Sequence, residues 1–233
     1  KNETEAQTHL STILNNIQSI NPDIMNFAEI EGCDEINMLR ESLDESYAGY
    51  LVKGTDTSTG QNVGMISKID PIAPLHRTEA RKDYPIPNSG CGYTGEPGNT
   101  GVSKHYISEF FINDIAVVII GIHLLAFPTD PYRCAKREAQ ALVIQEIISY
   151  YSSMNYEVIV IGDFNDFDGV VLDKNNNKPT SKVLDILKGN FGTYENEYEL
   201  FSVAENLEKS ERYSEWYDEN NDCQSTDNEF SQI

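Results

Sequence analysis

The stretch that decides the fold is "VIVIGDFNDFDG", residues 158–169. Its first four residues are apolar and uncharged, and such a run predicts a buried strand. Three carboxylates and an amide follow at once, from Asp163, Asn165, Asp166 and Asp168. A bare carboxylate at the end of a buried strand is costly unless something positive or solvent meets it. The stretch therefore predicts a metal ion, a basic partner or open solvent at this strand end.

Polar side chains also end other apolar runs. Glu29 follows "IMNFA", and His123 ends "AVVIIGIH". Open α/β sheets place their sites beyond strand ends, where Glu29 and Asp163 can together hold a hard divalent cation. Asn165 can hold a water or a phosphate oxygen, and His123 can donate a proton near neutral pH. A metal, an acid and an oriented water are what a phosphodiester hydrolase needs. Taken singly, a solvated glutamate, a structural histidine and an Asx turn remain alternatives.

Charge and hydropathy limit the class of protein. The chain has 233 residues, with 17 Lys and Arg against 38 Asp and Glu, a net charge of 17 − 38 = −21. Such a surface repels nucleic acid at long range, which argues against a tight, non-specific DNA binder but leaves a nucleic-acid enzyme open. No apolar run reaches the roughly 18 residues that would span a bilayer.

The pattern along the chain predicts an α/β (α+β) protein. Helical periodicity marks residues 5–20, 33–46, 131–152 and 181–188, whereas 24–30 and 157–162 are predicted strands. Four further strands lie between, at 49–54, 63–69, 105–112 and 115–124, and 83–101 is a long polar loop. Residues 195–229 are predicted to be irregular. Since strands both alternate with helices and run consecutively, two mixed sheets should pack face to face with helices outside. We find no repeat or linker, so 1–233 is expected to be one domain.

Four segments resemble the endonuclease/exonuclease/phosphatase superfamily, whose fold is that of deoxyribonuclease I. "PDIMNFAEIE" (22–31) resembles its glutamate segment and implies that Glu29 binds metal. "GIHLLAFPTDPYRCAKREAQA" (121–141) resembles its histidine strand and helix and implies that His123 is catalytic. "VIVIGDFND" (158–166) resembles its "GDFN" signature and implies the Asp and Asn roles for Asp163 and Asn165. "GVSKHYISEFFI" (101–112) resembles the strand with a basic, phosphate-facing residue, which matches Lys104.

The resemblance implies a four-layer sandwich and a divalent-metal-dependent phosphoesterase using Mg²⁺, or else Mn²⁺ or Ca²⁺. Its substrate is a phosphodiester or phosphomonoester in a nucleic acid, a lipid head group or a small molecule. The family opens with an Asn-bearing strand and closes with an Asp-His pair, and the chain shows neither between Lys1 and Ile233. We therefore expect a longer natural chain. The alternative is a catalytically inactive extracellular binding or structural protein on the same fold.

Four cysteines, at 33, 91, 134 and 223, have no metal-ligand spacing. Two disulfides in a secreted, extracellular or vacuolar protein are expected, and buried thiols in a cytosolic protein are the alternative. Four cysteines allow three pairings. In the implied fold the loops of Cys91 and Cys134 meet at one end of a sheet, and the strands beside Cys33 and Cys223 both lead to the metal, so Cys91–Cys134 and Cys33–Cys223 are the expected pairs. The chain opens on Lys1 without Met, as a trimmed product would, and "NET" (2–4) makes Asn2 a candidate glycosylation site.

Overall fold

The computed structural model describes residues 3–216 and 230–232. The chain divides into two compact units. Unit 1 comprises Lys1–Arg77, Ser103–Ile122 and Ile159–Gly162, and unit 2 comprises Thr78–Val102, His123–Val158 and Asp163–Ile233. The expectation that the whole chain forms one domain stays a prediction.

Helices and strands alternate at the start of the chain, consecutive strands follow, and the part after residue 187 is largely irregular. The elements are α1 (Glu3–Ile20), β1 (Ile24–Ile30), α2 (Cys33–Glu41), β2 (Ala48–Val52), β3 (Asn62–Ser67), β4 (Lys82–Tyr84), β5 (Gly98–Thr100), β6 (Lys104–Ile112), β7 (Ile115–His123), α3 (Pro131–Ser153), β8 (Glu157–Asp163), α4 (Val183–Leu187), two 3₁₀ turns (Val203–Asn206 and Lys209–Glu211), β9 (Glu215–Trp216) and β10 (Phe230–Ser231).

Two three-stranded sheets build unit 1. The first has the order β1-β3-β2 with antiparallel pairing, and the second has the order β6-β7-β8. Side chains of β3, β6 and β7 form one buried cluster of Val63, Met65, Tyr106, Phe110, Val117 and Ile119. On the opposite face of β3, Ile66 packs with Ile36 of α2. The expected α/β class with two sheets packed face to face is thus confirmed.

Strand β8 differs from the expectation of a fully buried strand. Its residues alternate between exposed and half-buried, and Ile159 and Ile161 are 46% and 42% exposed. The physical reason is position, because β8 is the end strand of β6-β7-β8 and the described residues cover the two isoleucines only in part. An uncharged apolar run therefore predicted the strand correctly and its burial wrongly.

Helix α3 dominates unit 2. Its N-terminus is capped by Asp130, whose carboxylate accepts a hydrogen bond from the backbone N of Arg133 at 2.8 Å, and Pro131 occupies the first turn. The helix is buried on nearly all sides, including four polar residues: Arg137, Glu138, Gln140 and Gln145. Buried polar groups of this kind need hydrogen-bond partners.

Several boundaries differ from the predicted ones. Helix α2 ends at Glu41 instead of residue 46, because the Asp44 carboxylate accepts a hydrogen bond from the backbone N of Ser46 at 2.8 Å and starts a turn. The predicted loop 83–101 contains the antiparallel pair β4–β5. Within 195–229, the described part is irregular except for 3₁₀ turns and the short strand β9, which pairs with β10. Among the described helices, none is both long and apolar enough to cross a membrane.

Candidate active site

His123 and Asp163 are the last residues of β7 and β8, and their side chains meet. The distance from His123 Nε2 to Asp163 Oδ2 is 3.5 Å, and the imidazole is 7% exposed. The backbone N of Leu124 donates to the carbonyl oxygen of Asp163 at 2.9 Å, which holds the two strand ends side by side. A carboxylate in this place orients the imidazole ring. Two of the predicted site residues are thus brought together.

Gly162 makes this close approach possible. Its φ is +138°, and a Cβ atom at this position would lie 1.9 Å from the carbonyl oxygen of Ile122. Every other residue would collide with the backbone of the neighbouring strand. The glycine of "GDFND" therefore has a steric reason that is independent of any chemistry.

Asn165 forms a tight turn directly after Asp163. Its φ is +53°, and its backbone N donates to Asp163 Oδ1 at 2.8 Å, so the Asx turn that the sequence left open is real. Its side-chain Nδ2 donates to the carbonyl oxygen of Leu124 at 3.0 Å. The carbonyl oxygen Oδ1 makes no hydrogen bond to any described residue. The Asx turn is compatible with a role in the site, because the two hydrogen bonds that fix Asn165 leave its Oδ1 available as an acceptor.

The two later carboxylates of the motif are structural. Asp166 is 2% exposed and accepts hydrogen bonds from the backbone N of Thr180 at 2.8 Å and from the hydroxyl groups of Thr180 and Ser181. Asp168 pairs with Lys188, whose Nζ lies 2.8 and 2.9 Å from its two oxygens. Burial acts to raise the pKa of Asp168, but hydrogen bonds from Lys188 and from two backbone amides outweigh it, so the pKa is lowered. Neighbouring donors, rather than solvent, meet these charges.

Glu29 lies in unit 1, near the end of β1, in an unusual backbone conformation. Its φ is +63°, and the pairing of β1 with β3 shifts register between Phe27 and Ile30. The side chain is exposed and makes no hydrogen bond or ion pair with any described residue. A left-handed, non-glycine residue costs free energy and is characteristic of sites where a side chain must be aimed. The sequence pattern showed no sign of this bulge.

Lys104, the expected phosphate-facing residue, lies in unit 1 and forms an ion pair there. Its side chain is buried, and its Nζ lies 3.1 Å from Asp56 Oδ2. A hydrogen bond from the Thr59 hydroxyl, helped by the backbone N of Ser58 and by Lys104, lowers the pKa of Asp56 to about 2. Asp56 was not identified from the sequence, because nothing in its local pattern "TDTSTG" marks a distant lysine as its partner. A role for Lys104 toward phosphate stays a prediction.

The predicted metal ligands are chemically suited to Mg²⁺, but they are few. Glu29 and Asp163 offer carboxylate oxygens, and Mg²⁺ is commonly held by one or two carboxylates together with waters and substrate phosphate. Among the described residues, no group of three or more His, Cys, Asp or Glu side chains is gathered as a metal cluster. That Glu29 and Asp163 share an ion stays a prediction.

One disulfide is present in unit 2, between Cys91 and Cys134, and this is the expected pair. Cys33 is exposed and carries no bond to another described cysteine. Its expected partner Cys223 lies outside the described residues, as does the candidate glycosylation site Asn2. The pair Cys33–Cys223 and the modification of Asn2 therefore stay predictions.

Comparison with known proteins finds solved structures that are similar to this chain. No family model matches the chain, and no curated protein is significantly similar in sequence. The 2′,3′-cyclic phosphatase ANGEL2 shares 15% identity over 67% of this chain, with a TM-score of 0.46. TDP2 from Caenorhabditis elegans shares 16% over 70%, and the mannosyl-6-phosphatase Bt3783 from Bacteroides thetaiotaomicron shares 15% over 80%, both with a TM-score of 0.48.

The chain spans 43%, 44% and 65% of the respective lengths of these three proteins. The likenesses concern the fold, and no residue role or activity is taken from them.

Proposed function

We propose that this chain is the core of a phosphoesterase that hydrolyses phosphodiesters or phosphomonoesters with the help of a divalent metal. The observation that carries the proposal is the contact of His123 with Asp163, with Asn165 fixed in the turn that follows. These three residues supply an acid, a carboxylate and an amide acceptor at one strand end. Such a set suits the cleavage of an ester whose transition state gains negative charge.

Each residue has a distinct task in this proposal. His123, held by the Asp163 carboxylate, donates a proton to an oxygen that becomes anionic as the phosphorus–oxygen bond breaks. Asn165 Oδ1 accepts a hydrogen bond from the attacking water and orients it. A bound Mg²⁺, with the Asp163 carboxylate as a ligand, would polarise the phosphoryl oxygen and offset its charge.

The overall charge supports a small substrate. With a net charge of −21, the surface opposes the approach of a long polyanion, whereas a small ester carries little charge to repel. We therefore favour a small-molecule or lipid head-group ester over a polynucleotide.

The test is the hydrolysis of bis(p-nitrophenyl) phosphate and p-nitrophenyl phosphate in the presence of Mg²⁺. We expect His123→Ala to lower kcat by at least about 100-fold, the usual scale for loss of a general acid. His9→Ala is the matched control, because His9 is exposed on α1 and should leave kcat unchanged. EDTA should abolish turnover, and added Mg²⁺ should restore it.

Two results contradict the proposal. Equal loss in both histidine variants would reduce His123 to a structural role. A folded wild-type protein with no turnover of either ester, with Mg²⁺, Mn²⁺ or Ca²⁺, would instead favour the binding or structural protein that the sequence left as its alternative.

A further inference from the structure

The two residues after His123, Leu124 and Leu125, are here called the link dipeptide. Both backbone polar groups of Leu124 bond to the candidate site. Its N donates to the carbonyl oxygen of Asp163 at 2.9 Å, and its carbonyl oxygen accepts from Asn165 Nδ2 at 3.0 Å. The position of Leu124 therefore sets the position of the Asn165 amide relative to Asp163.

Both backbone polar groups of Leu125 bond to helix α3. Its N donates to Gln140 Oε1 at 3.0 Å, and its carbonyl oxygen accepts from Arg137 Nη1 at 2.9 Å. Gln140 is held in turn, because its Nε2 donates to the carbonyl oxygen of Gly101 at 3.1 Å. All four backbone polar groups of the link dipeptide are thus bonded, two toward the site and two toward the helix.

Arg137 also bonds the segment that lies beyond Asn165. Its Nη2 lies 3.4 Å from the Thr180 hydroxyl, and that hydroxyl donates to the carboxylate of Asp166 at 3.2 Å. A third bond runs from Nη2 to the carbonyl oxygen of Pro128 at 3.3 Å. The guanidinium is fully buried, so its geometry is fixed by these partners rather than by solvent.

We propose that Gln140 and Arg137 are positioning residues for the candidate site, acting through the link dipeptide on the side-chain amide of Asn165. The inference rests on the proposed function, since it assigns these helix residues a part in the same reaction. Neither side chain touches the reacting atoms. Their effect is geometric, because a displacement of about 1 Å in a reacting group can cost about 100-fold in rate.

A purely structural role for buried glutamines makes a different prediction, and helix α3 contains the control. Gln145 is also a fully buried glutamine of this helix, and its amide bonds other backbone segments. Its Nε2 donates to the carbonyl oxygens of Ile186 and Phe191, and its Oε1 accepts from the N of Thr193. Gln140 and Gln145 differ in which segment they hold and not in type, burial or helix.

The first experiment compares Gln140→Met with Gln145→Met. Methionine keeps the length of the side chain and removes both hydrogen bonds. We expect Gln140→Met to lower kcat about 10- to 100-fold while KM changes less than about twofold, because geometry rather than substrate binding is lost. Gln145→Met should lose thermal stability comparably and keep kcat within about twofold. Equal kcat in the two variants would overturn the inference.

The second experiment asks whether Gln140 acts through Asn165. In an Asn165→Ala background, Gln140→Met should change kcat by less than about twofold, since the group it positions is gone. The side-chain amide cross-peak of Asn165, identified in NMR spectra by its loss in Asn165→Asp, should shift in Gln140→Met and stay in place in Gln145→Met.

The two readouts separate the failure of the inference from the failure of the proposed function. An unmoved Asn165 cross-peak, or additive losses of kcat, would overturn the positioning role in an active protein. An inactive but folded wild-type protein would overturn the proposed function and the catalytic sense of positioning with it, even if the cross-peak moves.

Discussion

At the scale of single residues, the three aspartates of "GDFNDFD" have different interaction partners although they lie within six residues of one another. Asp163 faces a histidine, Asp166 faces backbone and hydroxyl donors, and Asp168 faces a lysine. The sequence correctly marked the negative charge as needing partners. It could not assign them, because Thr180, Ser181 and Lys188 approach from segments at a distance along the chain, and no local pattern encodes that approach.

The ion pair of Asp168 and Lys188 leads to a prediction about stability. Lys188→Met should lower the free energy of unfolding at pH 7 by about 1–3 kcal/mol, since the partly buried Asp168 carboxylate loses its ion pair and keeps only its backbone amide donors. Lys182→Met is the control, because the Lys182–Asp185 pair is far more exposed, and it should change stability by less than about 1 kcal/mol. Urea unfolding followed by circular dichroism measures both.

The pH dependence gives this prediction a sign. Because the folded-state pKa of Asp168 is lowered, the stabilisation is fully present above the unfolded pKa of about 3.9 and is lost as the pH falls through the folded value. The difference between the wild-type protein and Lys188→Met should therefore shrink below about pH 4. A gap that is constant from pH 7 to pH 3 would contradict the ion pair as its cause.

At the scale of elements, most helices and strands were predictable from the sequence, whereas their burial and their irregularities were not. Apolar periodicity is a property of the segment itself, so β1 and the start of α3 were predicted at their observed residues. Burial and bulges depend on the neighbouring strand. For that reason the exposure of Ile159 and Ile161, and the left-handed conformation of Glu29 at the register shift, could not be read from the pattern.

The disulfide between Cys91 and Cys134 ties a loop to the first turns of α3 and closes 43 residues. Replacing both cysteines with serine should lower the free energy of unfolding by about 2–4 kcal/mol. Mass spectrometry of a non-reduced digest should recover the peptide pair Cys91–Cys134 and, as the second prediction of the pairing, Cys33–Cys223. Recovery of Cys33 joined to Cys91 or to Cys134 would contradict it.

At the scale of the whole molecule, the net charge of −21 is the property that bears most on substrate choice. Amino-acid composition alone determines this property. The candidate site was predictable as a set of residue types at strand ends. Its support by Gln140 and Arg137 was not, since a polar residue inside an apolar helix shows only that it needs a partner.

Charge repulsion should appear in the ionic-strength dependence of kcat/KM. The Debye length falls from about 30 Å at 0.01 M to about 8 Å at 0.15 M ionic strength. Hydrolysis of an oligonucleotide should therefore speed up over this range at fixed free Mg²⁺, whereas hydrolysis of bis(p-nitrophenyl) phosphate should change much less. An oligonucleotide that is cleaved faster at low salt would instead reveal a local cationic groove and a polynucleotide substrate.

Gly162 has a consequence for how this molecule can change over generations. Every codon change that alters this residue adds at least one carbon atom, and that atom would sit 1.9 Å from the Ile122 carbonyl oxygen. We therefore expect no substitution at position 162 to be tolerated. The apolar positions that precede it should tolerate exchange among valine, isoleucine and leucine. In a saturation library that spans "VIVIGDFND", every clone that still folds should therefore keep glycine at position 162.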